Sequence, residues 1–294
     1  MPCYRPLTGY RSKDLNPSGK RSIVFNPGPS SAFSGIPLKL PCGQCIGCRL
    51  ERSRQWAIRC VHEASLYDDN SFITLTYSDE KLPADESLDV SHFQKFMKRL
   101  RKKVDTKIRF FHCGEYGETY GRPHYHACLF GYDFPDKVLW KEHNGEKYFT
   151  SKLLEETWGH GFTTIGNVTF ESAAYVARYI TKKITGDRAA EYYEGRKPEY
   201  VTMSRRPGIA ANWFEKFKTD VFPADEVIVR GKKLKPPRFY LQRLNSEELA
   251  RVQHARERSA VKHARNSSWP RLKIREEIHE RKFEMLKRSY EHEA

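Results

Sequence analysis

Residues 107–130 predict two antiparallel strands joined by a short connection. The segments 107–113 (KIRFFHC) and 124–130 (HYHACLF) are rich in the aromatic and β-branched side chains that favour strands. Between them lies GEYGETYGRP, whose glycines and proline are typical of a turn. Two strands connected in this way pair most simply in opposite directions, so we expect an antiparallel sheet.

The remaining periodic segments predict a domain of the α+β class. The predicted elements are a helix over about 47–67, a strand over 72–77, a helix over 90–104 capped by Asp89 or Ser91, the strand pair, a short helix over 150–158, a strand over 162–169 and a helix that Ser172 caps. This order predicts an antiparallel sheet with flanking helices. Residues 1–41 are expected to be loops, because NPSGK, NPGPSS and SGIP interrupt any periodicity.

Charge is distributed unevenly along the chain. The 52 Lys and Arg residues outnumber the 37 Asp and Glu residues, for a net charge of +15 and an isoelectric point near 9.4. Nucleic acid is the commonest partner of so basic a chain. Residues 231–294 hold +8 of this charge (17 basic and 9 acidic residues), and 245–290 are expected to be largely helical. Their polar faces could be ordinary solvated surface or could contact phosphates.

The predicted organisation has three regions: an N-terminal arm (1–50), an α+β domain (51–222) and a basic, largely helical C-terminal region (223–294). The longest apolar runs are too short for a membrane span, and the first residues, MPCYRPLTGYRSK, lack the apolar core of a secretory signal. We therefore expect no membrane association.

The HYH tripeptide predicts a metal site. His124 and His126 are two residues apart on a strand, so both side chains project from one face. A hairpin can bring Glu115 across to them, which gives two imidazoles, one carboxylate and open coordination positions. Such a site suits Mg²⁺ or Mn²⁺ engaging a phosphate. His112 is a rival third ligand, and incidental placement of both histidines is the alternative.

Tyr175 and Tyr179 lie one turn apart on one face of the predicted helix AAYVARYITKK. Tyrosines at this spacing are most often an amphipathic packing stripe. Here Arg178, Lys182 and Lys183 add positive charge beside the phenols, which would favour attack on a phosphodiester and could contact DNA phosphates.

The cysteine-rich segment 42–48 predicts a second metal site. Cys42, Cys45 and Cys48 form CxxCxxC, which presents three thiols within one tight turn. A structural zinc needs four ligands. Cys3 is a good candidate for the fourth, because its binding would fix the N-terminal arm. Cys60 is the other candidate. An iron–sulfur cluster and free thiols remain alternatives.

Several of these segments resemble a known superfamily. GRPHYHACLFG followed by AAYVARYITKK resembles motifs II and III of the HUH endonucleases, and FITLTYSDE resembles motif I. The segments PCGQCIGCR, RQWAIR with Glu63, and MSRRPGI are similar to those of replication initiators from gokushovirus-type microviruses, which are small single-stranded-DNA phages. The likeness covers roughly residues 1–220.

The resemblance implies a ferredoxin-like HUH domain with defined residue roles. It implies that His124, His126 and Glu115, nine residues before the first histidine, hold a divalent cation. It also implies that Tyr175 and Tyr179 are nucleophiles, and which attacks first is left open.

The implied function is initiation of rolling-circle replication in the cytoplasm of a bacterial host. The enzyme would be a metal-dependent nickase and strand transferase that forms a 5′-phosphotyrosine on single-stranded origin DNA and circular double-stranded replicative DNA. A host helicase and polymerase would be its partners. An HUH transposase or relaxase, or a non-catalytic zinc-containing nucleic-acid-binding protein, are the alternatives.

Overall fold

The computed structural model describes residues 3–26, 28, 31–117, 120–143, 145–182 and 188–285, and only the backbone of residues 179–182 and 188. Contacts divide the chain into two compact units. The first contains the N-terminal residues through Glu51 and the segment from Arg258 to Met285, the last residue described. The second contains Arg52–Glu257.

The secondary structure alternates between strands and helices. The strands are β1 (Leu7–Leu15), β2 (Arg21–Val24), β3 (Leu38–Leu40), β4 (Asn70–Leu75), β5 (Arg109–Tyr116), β6 (Pro123–Phe130), β7 (Val138–His143), β8 (Glu146–Thr150), β9 (Thr163–Gly166), β10 (Tyr200–Met203), β11 (Val227–Val229) and β12 (Lys232–Leu234). The α-helices are α1 (Ile46–Ala64), α2 (Val90–Val104), α3 (Lys152–Trp158), α4 (Phe170–Lys182), α5 (Arg188–Tyr193), α6 (Ala211–Val221), α7 (Arg238–Leu241), α8 (Ser246–Lys262) and α9 (Trp269–Glu284). Short 3₁₀ turns cover Asp79–Lys81 and Ala264–Ser267.

The second unit is built around a seven-stranded sheet in the order β10-β5-β6-β4-β9-β8-β7. Each of its neighbouring strands pairs antiparallel. The smaller sheets, β2-β1-β3 in the first unit and β11-β12 in the second, are also antiparallel. The predicted α+β class with an antiparallel sheet is therefore confirmed.

Both faces of the central strands are covered by helices. On one face, Tyr125 belongs to an apolar cluster built with α2 and α3, which contributes the fully buried Trp158. On the other face, Cys128 clusters with Cys60 of α1 and Val176 of α4. Successive residues of β6 therefore enter different cores, which is why this strand is buried along its whole length.

The helix α2 begins and ends where its sequence signals predict. The Asp89 carboxylate accepts a hydrogen bond of 2.8 Å from the amide of Ser91, which caps the helix start. At the other end Asp105 adopts the left-handed conformation that stops a helix. The expectation for residues 90–104 is confirmed, with Asp89 rather than Ser91 as the cap.

Two expectations about local structure are wrong. Residues 1–41 contain β1, β2 and β3. Sequence periodicity does not reveal these strands, because they are largely exposed. In β1 only Gly9 and Ser12 are buried, so β1 shows no alternation of apolar and polar residues.

Ser172 lies within the first turn of α4. The amide of Ser172 donates to Thr169 Oγ1 (3.1 Å) and the amide of Thr169 donates to Ser172 Oγ (2.8 Å), so Thr169 provides the cap.

The C-terminal residues follow the expected pattern where the structure describes them. The segment predicted to be helical over 245–290 holds α8 and α9. Among the described residues, no helix has the length and apolarity needed to cross a bilayer.

Candidate active site

The pairing of β5 with β6 brings Glu115 to the histidine pair. Glu115 lies directly opposite His124, and Cys113 lies opposite His126, so all four side chains share one face of the sheet. Oε1 of Glu115 is 3.3 Å from Nε2 of His124 and 2.8 Å from Nε2 of His126. Neighbouring ligands of an octahedral ion with bonds of about 2.1 Å stand about 3 Å apart, so these three side chains are spaced as ligands of one divalent cation would be.

The other ring nitrogen of each histidine contacts the protein. Nδ1 of His124 donates to the backbone carbonyl of Arg122 (3.1 Å), because a carbonyl can only accept. Nδ1 of His126 lies 3.0 Å from the hydroxyl of Thr74, its cross-strand neighbour on β4. These contacts orient both rings with Nε2 towards Glu115, the arrangement that metal-binding histidines require.

The charge of Glu115 is held in place by its neighbours. Burial is the largest influence and opposes ionisation, because Glu115 is only 1% exposed. Together, the charges and hydrogen bonds of His124 and His126 outweigh this effect of burial and lower the pKa of Glu115 to about 2. The carboxyl group is therefore ionised at neutral pH, as a metal ligand must be.

The rival ligand His112 lies on the opposite face of the sheet. It pairs across from Ala127, its ring stacks on Phe93 with centroids 3.4 Å apart, and its Nδ1 is 2.9 Å from Thr202 Oγ1. Burial, followed by the nearby charge of His126, lowers its pKa well below the usual value. Among the described residues, the group that could hold a metal here consists of Glu115, His124 and His126.

The helix α4 packs against this group through Tyr175. The Tyr175 ring meets the His126 ring edge to face, with centroids 5.0 Å apart, and the Arg178 guanidinium lies 5.5 Å from the Tyr175 ring centre. Tyr175 is 2% exposed and belongs to the apolar cluster beneath α4. This burial also agrees with the alternative that Tyr175 is part of an amphipathic packing stripe.

The other residues proposed on this helix lie beyond the described part. The backbone of α4 places Tyr179 one turn after Tyr175. The side chains of Tyr179 and Lys182, and all of Lys183, lie outside the described residues.

The four cysteines proposed as zinc ligands lie together in the first unit. The sulfur atoms of Cys3, Cys42, Cys45 and Cys48 are all within 4.8 Å of one another. Cys60, the other candidate, is fully buried in the cluster between α1 and the central sheet. Burial opposes ionisation of Cys42, but hydrogen bonds from the backbone of Cys45 and Gln44 lower the pKa of its thiol to about 7.

Sequence reasoning missed residues that position the site. The sequence predicts Thr74 only as part of a strand. Thr74 lies two residues after Phe72, on the same face of β4, and pairs with His126 of the HYH strand. This strand period of two is the signal that could have shown that Thr74 faces the histidines. The sequence also assigns no role to the segment MSRRPGI beyond its resemblance to the phage initiators.

That segment is held by a buried ion pair. Glu63 of α1 contacts Arg109 of β5 (Oε1 to Nε, 2.5 Å), and both side chains are under 10% exposed. Arg109 donates to the carbonyl of Pro207 (2.9 Å), and Glu63 Oε2 accepts from the amide of Ala210. Arg59 adds two hydrogen bonds to the carbonyl of Ile209. The segment of α1 and the segment 203–209, both of which resemble the phage initiators, are thus joined by one network of buried hydrogen bonds.

Comparison with known proteins gives consistent matches. A family model described as replication-associated protein ORF2/G2P matches residues 70–184, a range that contains the Glu115 group and Tyr175. Replication-associated protein VP4 of Bdellovibrio phage phiMH2K is 35% identical over 254 residues, which is 82% of this chain and 76% of that protein. Replication-associated protein ORF2 of Spiroplasma virus 4 is 35% identical over 225 residues (71% of this chain, 68% of that protein).

A third relative, replication-associated protein ORF4 of Chlamydia phage 1, is 32% identical over 222 residues, 71% of this chain and 55% of that protein. No solved structure matches the chain.

Proposed function

This chain belongs to the family of phage replication-associated proteins, as a gokushovirus-like initiator, and we propose that it nicks and rejoins origin DNA through a tyrosine. One observation carries the proposal. The Glu115–His124–His126 group, whose donor atoms fit a divalent cation, lies against the helix that bears both tyrosines, with the Tyr175 ring 5.0 Å from that of His126. We assign the domain around it to the HUH endonucleases on this basis.

The residues of the group would divide the work of binding a cation. Glu115 would supply a negatively charged oxygen ligand, and His124 and His126 would supply ring nitrogens oriented by their contacts with Arg122 and Thr74. A bound Mg²⁺ or Mn²⁺ would polarise the scissile phosphate and stabilise the charge that develops on its oxygens.

The tyrosine would carry out the transfer. Its phenol oxygen bonds to phosphorus as the bond from phosphorus to the 3′ oxygen breaks, and the phenol proton leaves as the 3′ oxygen gains one. The products are a 5′-phosphotyrosine and a free 3′-OH that a host polymerase extends. Because the phosphotyrosine conserves the energy of the broken bond, the reverse attack by a 3′-OH rejoins the strand without ATP.

Two tyrosines would allow repeated rounds. While one holds the displaced strand, the second cuts the regenerated origin, and the new 3′-OH closes a unit-length circle. Arg178, whose guanidinium lies 5.5 Å from the centre of the Tyr175 ring, would place positive charge near the transferred phosphate. We place this reaction in the cytoplasm of the bacterial host, on circular double-stranded replicative DNA opened by a host helicase.

The test is nicking of labelled single-stranded origin DNA with Mn²⁺. His124→Ala and His126→Ala should abolish nicking and leave salt-sensitive DNA binding largely unchanged, because Lys and Arg provide the general affinity. His254→Ala, an exposed histidine on α8, is the matched control and should nick normally.

Nicking at wild-type rates by both histidine variants would contradict the metal assignment. DNA binding without nicking by the wild-type protein would favour a non-catalytic nucleic-acid-binding protein instead. A transposase or relaxase would share the chemistry but prefer its own DNA rather than the phage origin.

A further inference from the structure

We infer that Cys3, Cys42, Cys45 and Cys48 hold one structural Zn²⁺ that stabilises the first unit and fixes α9 to the N-terminus. This site is separate from the Glu115 group and does not take part in the proposed nicking. It accounts for a cysteine cluster that DNA cleavage does not use.

The spacing of the sulfur atoms suits a single ion. All four lie within 4.8 Å of one another. Zinc bonded to thiolates at about 2.3 Å in a tetrahedron places its sulfur atoms about 3.8 Å apart, so a small contraction completes the site. In a four-iron cluster each thiolate binds a different iron, so its sulfur atoms stand farther apart. The geometry therefore favours one ion over a cluster.

Backbone amides point at the sulfur atoms, as they do around thiolates bound to a metal. The amide of Cys42 donates to Sγ of Cys3 (3.3 Å), and the amide of Cys45 donates to Sγ of Cys42 (3.3 Å). The amide of Tyr4 donates to Sγ of Cys45 (3.4 Å). Amides arranged in this way stabilise negative charge on sulfur, which an inert apolar thiol would not need.

The cysteines also make up much of the buried cluster in the first unit, where a hydrophobic core would otherwise lie. The described apolar residues packed around it are few: Tyr4, Ile46 and Leu272 of α9. A small unit with so little buried apolar surface commonly depends on a metal or on disulfides for stability. No disulfide joins Cys3, Cys42, Cys45 and Cys48, which leaves the metal.

Contacts from the cysteine segments explain why α9 would depend on the ion. Tyr4, next to Cys3, bonds through its hydroxyl to Nδ1 of His279 (2.8 Å), and Arg5 pairs with Glu276 (2.9 Å). Both partners lie on α9. The ion thus links residues 3–5, the start of α1 and α9, and its binding energy becomes folding energy of that unit.

The first experiment uses the full-length wild-type protein. Elemental analysis of protein purified without added metal should find about one zinc per chain. Alkylation followed by mass spectrometry should then show the four cluster thiols protected with zinc and modified after a strong chelator removes it. Cys60, Cys113 and Cys128 are internal controls, since all three are fully buried in the second unit and should stay unmodified in both conditions.

Substitutions separate this ion from one at the active site. Zinc content should persist in a His124→Ala/His126→Ala double variant and in Cys60→Ala, and should be lost in Cys48→Ser. Limited proteolysis should cut α9 after chelation and leave it intact before. None of these readouts involves nicking, so failure here and failure of the proposed function are distinguishable.

Several results would overturn the inference. These are wild-type protein without zinc, zinc that disappears with the histidines rather than with Cys48, iron accompanied by acid-labile sulfide, and cluster thiols equally reactive with and without chelator. If Cys48→Ser does not fold, the wild-type alkylation pattern still decides the question.

Discussion

Replacing Glu115 with Gln should destabilise the metal-free protein by an amount that follows from its buried contacts. The histidine pair lowers the pKa of Glu115 from 4.5 to about 2, and each pKa unit corresponds to about 1.4 kcal/mol. Glutamine keeps the shape but not the charge. In the presence of a chelator at pH 6, we therefore expect the free energy of unfolding to fall by about 3 kcal/mol.

The pH dependence fixes the sign of this effect. Because the folded pKa lies below the ordinary value, the carboxylate contributes its full stability above about pH 4.5 and loses it as the pH falls towards about 2. The difference between wild type and Glu115→Gln should therefore shrink to about 2 kcal/mol at pH 3.5. Urea unfolding followed by circular dichroism at the two pH values measures it.

Two further measurements make this prediction decisive. Glu142→Gln changes an exposed carboxylate on β7 of the same sheet and should cost less than about 0.5 kcal/mol. Titration calorimetry should show that Glu115→Gln no longer binds Mn²⁺. A variant as stable as wild type at pH 6, or a difference that grows as the pH falls, would refute the argument.

Substitutions at three other positions probe the site and its support. Thr74→Val removes the hydroxyl beside Nδ1 of His126 and should weaken Mn²⁺ binding by about tenfold in calorimetry, with the unfolding curve little changed. Tyr175→Phe should cost less than about 1 kcal/mol in urea unfolding, whereas Tyr175→Ala should cost about 3–5 kcal/mol, because the ring is buried. Glu63→Gln leaves a buried guanidinium unpaired and should cost about 3–5 kcal/mol by the same assay, while the exposed Glu277→Gln should cost under about 1 kcal/mol.

The central strands could be predicted because both the pattern and the pairing are local. The turn between β5 and β6 determines their register, and a strand period of two then places Glu115 with His124 and His126 on one face. The same register places His112 on the other face, so the rival ligand could have been rejected by counting residues from the turn.

The parts that escaped prediction depend on contacts distant in sequence or on exposed strands. The hairpin β7–β8 was not predicted because its first strand is nearly all exposed and alternates no apolar residues. Glu63 and Arg109 form a buried ion pair although they are 46 positions apart in sequence. Arg109 also donates a hydrogen bond to the carbonyl of Pro207, which lies 98 positions after it. Composition and periodicity carry no signal for such contacts.

Identification of the residue that becomes covalently linked to DNA tests the central claim most directly. Wild-type protein would be incubated with labelled single-stranded origin DNA and Mn²⁺, the adduct isolated on a denaturing gel, and its DNA-linked peptide sequenced by mass spectrometry. We predict a phosphodiester bond to Tyr175 or Tyr179, and no adduct in the double Phe variant. A wild-type adduct that survives substitution of both tyrosines, or linkage to a residue outside α4, would contradict the account.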